Sequence, residues 1–232
     1  MASLRMTILA LCLLGASVPA MTASDWEPVR QPQSREDVGT WVRSVDGMTV
    51  KAFKGTTEVH QSALTVLAVL ADTSGLNNWV YHCKSSGPAD KFPPDHTYAR
   101  FKGIWPASDR DVMFRSAVSQ QADGSIVLDS NQVIGYPQQD GHVRMPYLHN
   151  TFKLVPLKGN WTRVEFETQI DLGGLVPDWL ANAVSTKAPL VTLEGLRKQV
   201  EQPRYQIKSM NDLPAYYRKG KPMVLPEGHL AP

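Results

Sequence analysis

The stretch WTRVEFETQIDLGGLVPDWLANAVSTKAPLVTLEGLRKQVEQ, Trp161 to Gln202, holds two periodicities back to back. In its first part Thr162, Val164, Phe166, Thr168 and Ile170 alternate with Arg163, Glu165, Glu167, Gln169 and Asp171. Strict alternation marks a strand with one buried and one wet face, and so an antiparallel sheet. Gly173 and Gly174 break the strand, and Pro177 suits the first turn of a helix, where no amide hydrogen is needed. From there Trp179, Ala183, Thr186, Leu190, Leu193 and Val200 form one stripe. It predicts a long C-terminal helix with those residues inward and, at Pro189, a kink or an unpaired carbonyl.

Upstream, the same alphabet of strand and turn recurs. Phe101 and Trp105, then Val112, Phe114 and Val118, then Ile126, Leu128 and Ile134, then Leu148, Phe152 and Leu154 are apolar sets of half-buried strands. One interruption is helical: SALTVLAVLAD places Leu64, Leu67, Ala68 and Ala71 on one face behind Ser62, a good N-cap, and predicts an amphipathic helix. Before it, Trp41, Val42, Val45, Val50, Phe53 and Val59 flank an Asp46-Gly47 turn and read as two or three strands in a meander. The lead-in DWEPVRQPQSREDVG is polar and expected to hold at most a helical turn. The tail from Pro203 is Pro-rich and expected to be irregular. The order strands, helix, strands, long helix defines an α+β chain whose curved antiparallel sheet needs its apolar face covered, and only the C-terminal helix is long enough to do so.

A chain of 232 residues with 42% hydrophobic content supports one sizeable domain. A formal net charge of +2 excludes a strong field, so no nucleic acid is expected as a partner. MASLRMTILALCLLGASVPAMTA has Arg5, an apolar run from Met6 to about Ala16, and small residues, the pattern of a secretory signal. Residues 1–20 are its expected extent, with Ala23 as the other cleavage position. The run is too short to span a bilayer. Cys12 lies inside that signal, which leaves Cys83 alone and without a disulfide partner; WVYHCKSS offers it no activating motif, so it reads as a small buried hydrophobe. The expected location is across the inner membrane, in the periplasm of a Gram-negative source. The six histidines, His60, His82, His96, His142, His149 and His229, show no metal-ligand spacing. No nucleophile elbow, Walker loop or dinucleotide glycine pattern is present. No catalytic residue, metal or cofactor is expected.

KAFKGTTEV, LAVLAD with the following Trp79 and Cys83, WPASDRDVMFRS, GHVRMP, FKLVPL, TRVEFETQIDLGGLVPDWLAN and LEGLRKQV run in order from about Val38 to Val200. Together they resemble the START family, the lipid-transfer domains related to steroidogenic acute regulatory protein, in its secreted bacterial form. The resemblance implies a helix-grip fold, a sheet wrapped around the C-terminal helix, with one hydrophobic ligand cavity between them. It implies a START-like domain over residues 24–202, followed by the tail 203–232, and binding or transfer of a lipid or other hydrophobic molecule, with transient membrane contact, rather than catalysis. Enclosing an apolar ligand is worth roughly 25 cal/mol per Å² removed from water, so a few hundred Å² supply several kcal/mol without special contacts.

The inward sets then nominate the cavity wall: Phe101, Val112, Phe114, Ile126, Leu128, Phe152, Val164 and Phe166 from the sheet, and Trp179, Ala183 and Leu190 from the helix. Trp105 is nominated as a gate at the mouth, and Ser116, Arg144 and Asn182 as the polar contacts. In GIWPASDRDVMFRS the charges Asp109, Arg110 and Asp111 read as a tied loop, with Arg110 on backbone carbonyls or an acid and Asp111 facing water. The alternative is a helix-grip enzyme of the polyketide cyclase or aromatase type, which requires a buried Arg144, His149 or Asp109.

Overall fold

The computed structural model describes residues 25–137, 139–218 and 222–229. The expected signal peptide and Cys12 lie outside the described residues. The strands are β1 (Glu27–Arg30), β2 (Gly39–Arg43), β3 (Ala52–Val59), β4 (Cys83–Pro88), β5 (His96–Phe101), β6 (Asp109–Gln120), β7 (Ile126–Gln132), β8 (His142–Arg144), β9 (Tyr147–Leu157) and β10 (Trp161–Asp171). Helix α1 spans Ala63–Ala71 and α2 spans Asp178–Gln199. The strands make one sheet in the order β1-β2-β3-β10-β9-β7-β6-β5-β4, antiparallel along this path, and β8 pairs with β6 in parallel.

Alternation decides which face each strand buries. In β10 Thr162, Val164, Phe166, Thr168 and Ile170 are buried, while the intervening residues are half-buried or exposed. In β3 the same alternation runs to Val59. Helix α2 lies against β2, β3 and β10, and its buried residues join those of the sheet and of α1 in one apolar cluster. The sheet therefore grips α2, as the order of elements predicts.

Four local expectations are corrected. The lead-in is not a helical turn: Glu27–Arg30 forms β1, whose Pro28 sits at the sheet edge, where its missing amide hydrogen costs nothing. Helix α1 begins as expected, with Ser62 Oγ accepting from the Thr65 amide at 3.0 Å, but it is not amphipathic. All nine of its residues are buried, because the tail covers its second face. Tyr217 donates to the Leu70 carbonyl at 3.1 Å, and the Ala63 amide donates to His229 Nδ1 at 3.1 Å while His229 Nε2 donates to the Leu157 carbonyl at 2.8 Å. Apart from short 3-10 turns at Pro203–Tyr205, Met210–Asp212 and Ala215–Arg218, the described residues of the tail are irregular, yet Tyr205, Leu213, Tyr217, Leu225 and His229 are buried.

The third correction concerns α2. Its buried residues are Leu180, Ala181, Val184, Ser185, Ala188, Pro189, Thr192, Leu193, Leu196 and Gln199. Leu193, and Val200 just beyond the helix, are buried as expected, but the inward face as a whole is rotated by roughly 130° of helix, at about 100° per residue, from the stripe led by Trp179. Trp179 is 55% exposed, and the helix runs on through Pro189. Gly195 fixes how deeply α2 sits: a Cβ there would lie 2.6 Å from the Trp79 carbonyl oxygen, so only glycine lets the helix approach that backbone. The fourth is Asp111, which does not face water but is fully buried. β8 brings Arg144 over it, with Nε at 2.7 Å and Nη2 at 3.0 Å from its two oxygens, and Tyr98 donates to it at 2.8 Å.

Candidate functional site: a two-lobed cavity under the C-terminal helix

Between the concave face of the sheet and α2 lies a cavity of two lobes, about 120 Å³ and 70 Å³. They share Val80, Phe101, Leu148, Asn150, Phe166 and Thr192. The outer lobe is closed by Ile104 and Ala107 of the β5–β6 loop, by Ile170 and Leu172 at the end of β10, and by Leu180, Val184 and Ala188 of α2. It reaches the surface beside the exposed residues His82 and Lys102. The inner lobe ends against Leu70, Leu76, Trp79, Phe114, Leu128 and Phe152. Phe152 stacks on Phe166, with ring centroids 4.5 Å apart, and meets Trp79 edge-on at 6.0 Å. The wall is therefore rigid aromatic surface on the sheet side and small or branched aliphatic side chains on the helix side.

The polar groups of the wall are few. Arg110 is 6% exposed, and its guanidinium donates to the carbonyls of Ser108, Leu172 and Gly173. It thus ties the β5–β6 loop to the connector before α2, the tied-loop reading given above. No carboxylate of the described residues comes within ion-pair distance of it, and burial pulls its pKa below the ordinary guanidinium value. Thr192 Oγ1 accepts from the Tyr81 amide at 3.1 Å, and the Ser116 and Ser130 hydroxyls pair at 2.8 Å in the inner lobe. Asn150 Oδ1, Thr168 Oγ1 and Trp79 Nε1 are buried without a hydrogen-bond partner among the described residues.

Of the residues nominated from sequence, Phe101 and Phe166 line both lobes, and Phe114, Ser116, Leu128 and Phe152 line the inner one. Val112, Ile126 and Val164 face the same side but are wholly buried in filled core, beyond the cavity. Trp105 is 87% exposed at the tip of the loop, and Ile104 and Ala107 are the loop residues that reach inward. Trp179 and Asn182 are exposed, and Ala183 and Leu190 only half-buried on the flank of α2, following the rotation of the stripe. Arg144 leaves the cavity because β8 places it on the opposite face, on Asp111. His149 bonds Asp129 at 2.7 Å, and Asp109 takes the Gly103 amide at 2.8 Å and Lys84 at 2.9 Å. Cys83 is buried, and burial pushes its thiol up to about 11, which leaves it protonated and inert at neutral pH. Among the residues that sequence reasoning missed are Arg110 as a wall residue, Asn150, Thr168, and Leu180, Val184, Ala188 and Thr192. Asn150 was readable, since it has the same strand parity as Phe152.

A sheet closed on one long helix around an apolar chamber with a small set of buried polar atoms is a helix-grip fold. An uncharacterized protein of Pseudomonas aeruginosa is 31% identical to this chain over 201 residues, 86% of this chain and 98% of that protein. The crystal structure of a STAR-related lipid transfer protein from Xanthomonas axonopodis matches with a TM-score of 0.69 and 26% identity, covering 77% of this chain and 100% of that one. Human STARD10 matches at 0.66 and 18% identity over 85% of this chain and 81% of that one, a likeness of fold. No protein-family model matches. The chain has the helix-grip fold of the START family of StAR-related lipid transfer domains, a lipid-binding fold.

Proposed function

We propose that the protein binds a lipid or other hydrophobic molecule in the two-lobed cavity and carries it without altering it. The observation that supports this reading is the wall itself: aromatic and aliphatic side chains from sheet, loop and helix meet around a chamber that opens to the surface at one end. Ligand transfer into such a wall is driven by desolvation, which asks nothing of a nucleophile or a base. The cyclase alternative requires Arg144, His149 or Asp109 in the chamber, and all three are engaged elsewhere. Export to the periplasm is part of the proposal and rests on the N-terminal sequence pattern. Native mass spectrometry of protein purified from its own host, followed by solvent extraction, tests both parts. The expected result is a stoichiometric lipid adduct on a chain that starts at Met21 or Ser24. A mass that stays ligand-free after incubation with mixed lipids overturns the carrier reading, and a full-length N-terminus overturns export.

Loading requires access, and the exposed apolar side chains sit where access would be. Trp105 is 87% exposed, Leu175 98% and Trp179 55%, and the Arg110 tie holds the loop of Trp105 against the connector that carries Leu175 and leads into the first turn of α2, where Trp179 lies. We propose that this rim touches a membrane surface during exchange. Tryptophan prefers the interface between water and hydrocarbon. Adding phosphatidylglycerol-containing vesicles should therefore blue-shift tryptophan emission in the wild type. The shift should largely vanish in Trp105→Ala/Trp179→Ala; an equal shift in that variant would sink the proposal.

A further inference from the structure

Buried polar atoms are almost always hydrogen-bonded, so an orphan needs an explanation. Thr40, Ser86 and Asn160 also carry orphan atoms, but they do not line the cavity. Trp79 Nε1 does so at the far end of the inner lobe; Asn150 Oδ1 and Thr168 Oγ1 also do, and these two are not scattered. Thr168 in β10 is the direct register partner of Asn150 in β9, and Thr168 is 3% exposed. Side chains directly opposed across an antiparallel pair have Cβ atoms about 4.5–5.5 Å apart, within reach of a single bridging atom. Asn150 lies at the junction of the two lobes, so the pair marks the waist of the chamber rather than its closed end.

We infer that Asn150 and Thr168 form a subsite for a neutral hydroxyl of the bound molecule, which makes the ligand an alcohol-bearing lipid. The inference rests on the carrier reading and deepens it. A hydroxyl is both donor and acceptor: it donates to Asn150 Oδ1 and accepts from the Thr168 hydroxyl, satisfying both orphans with one group. The charge of the wall excludes an anionic headgroup at this point. Arg110 is the buried cation of the outer lobe, and its guanidinium is directed at the Ser108, Leu172 and Gly173 carbonyls. Lys102 and His82 are at the exposed rim. Apart from Lys102 at that rim and Arg110, no lysine or arginine lines either lobe.

Calorimetric titration with three probes that share one chain tests this: 1-decanol, its methyl ether 1-methoxydecane, and decanoate. The wild type should bind decanol about tenfold more tightly than the ether, the size of one well-made hydrogen bond to a buried group. Asn150→Leu/Thr168→Val, which keeps shape and removes both polar groups, should bind the two equally and at the wild-type ether affinity. Its melting temperature should be unchanged or higher, since no partner is lost inside the protein. Equal binding of decanol and ether by the wild type, or a preference that survives in the double variant, overturns the subsite and leaves the carrier reading standing. Decanoate binding more tightly than decanol overturns the neutral headgroup. If none of the three binds, the carrier reading falls and this inference with it.

Discussion

Alanine in place of Asp111 should lower the free energy of unfolding by about 3 kcal/mol, because removing one partner of a buried ion pair strands the other. Asp111 is fully buried, and its oxygens receive Arg144 at 2.7 and 3.0 Å and Tyr98 at 2.8 Å. The estimate sits at the lower end for such pairs because the Arg144 side chain keeps 21% of its surface in water and also donates to the carbonyls of Tyr136 and Pro137. The pair also shapes acid sensitivity. Burial alone would raise the Asp111 carboxyl, but the hydrogen bonds from Arg144 and Tyr98 outweigh it and hold the carboxyl below its ordinary value. A lowered folded-state value contributes stability that is complete above the unfolded value, near pH 4, and is lost as pH falls through the folded one. Urea unfolding of wild type and Asp111→Ala at neutral pH and below pH 4 should therefore converge as the pH drops. A constant gap, or a loss under about 1 kcal/mol at neutral pH, would mean that the pair behaves as a surface contact.

Filling the chamber should abolish carriage while sparing the fold. Val184 is buried on the face of α2 that lines the outer lobe, so Val184→Trp directs its added volume into empty space rather than into packed core. Overpacking of a filled core costs about 1–3 kcal/mol, and a side chain that enters a void should cost less. The expected outcome is a loss of lipid affinity of about tenfold or more with a melting temperature close to that of the wild type, read by lipid extraction and thermal unfolding of the same preparation. Leu190→Trp, on the half-buried flank of the same helix, is the control and should retain the lipid. If Val184→Trp carries as much lipid as the wild type, the ligand does not occupy this lobe.

The strands were legible because each buries one face against a continuous core. The alternation of Thr162 to Ile170 survives intact as β10, and the inward parity that named Phe152 and Phe166 also contains Asn150 and Thr168. Helix α2 was legible as an element but not in its rotation. Its buried face includes Ser185, Thr192 and Gln199, so hydropathy offers little contrast, and the large Trp179 drew the stripe onto the wrong flank. Arg144 was misplaced because β8, three residues long, is held by parallel pairing to β6, a long-range contact that no local period records. The filled core at Val112, Ile126 and Val164 and the open wall at Phe114 and Leu128 use the same residue types. Only the fit of facing side chains separates them.

The order of the sheet carries a consequence for how the chain reaches this state. β3 lies beside β10, pairing Val59 with Thr162 and Phe53 with Thr168, so the opening meander must wait for a strand made far later in the polypeptide. Pairings of such separation close slowly, because the entropy of the intervening loop is lost before any contact repays it. As the chain emerges from the ribosome, β1, β2 and β3 can pair with one another, but β3 has no neighbour on its other side until β10 is made. That delay suits a protein proposed to be threaded through a membrane in extended form and to fold only on the far side.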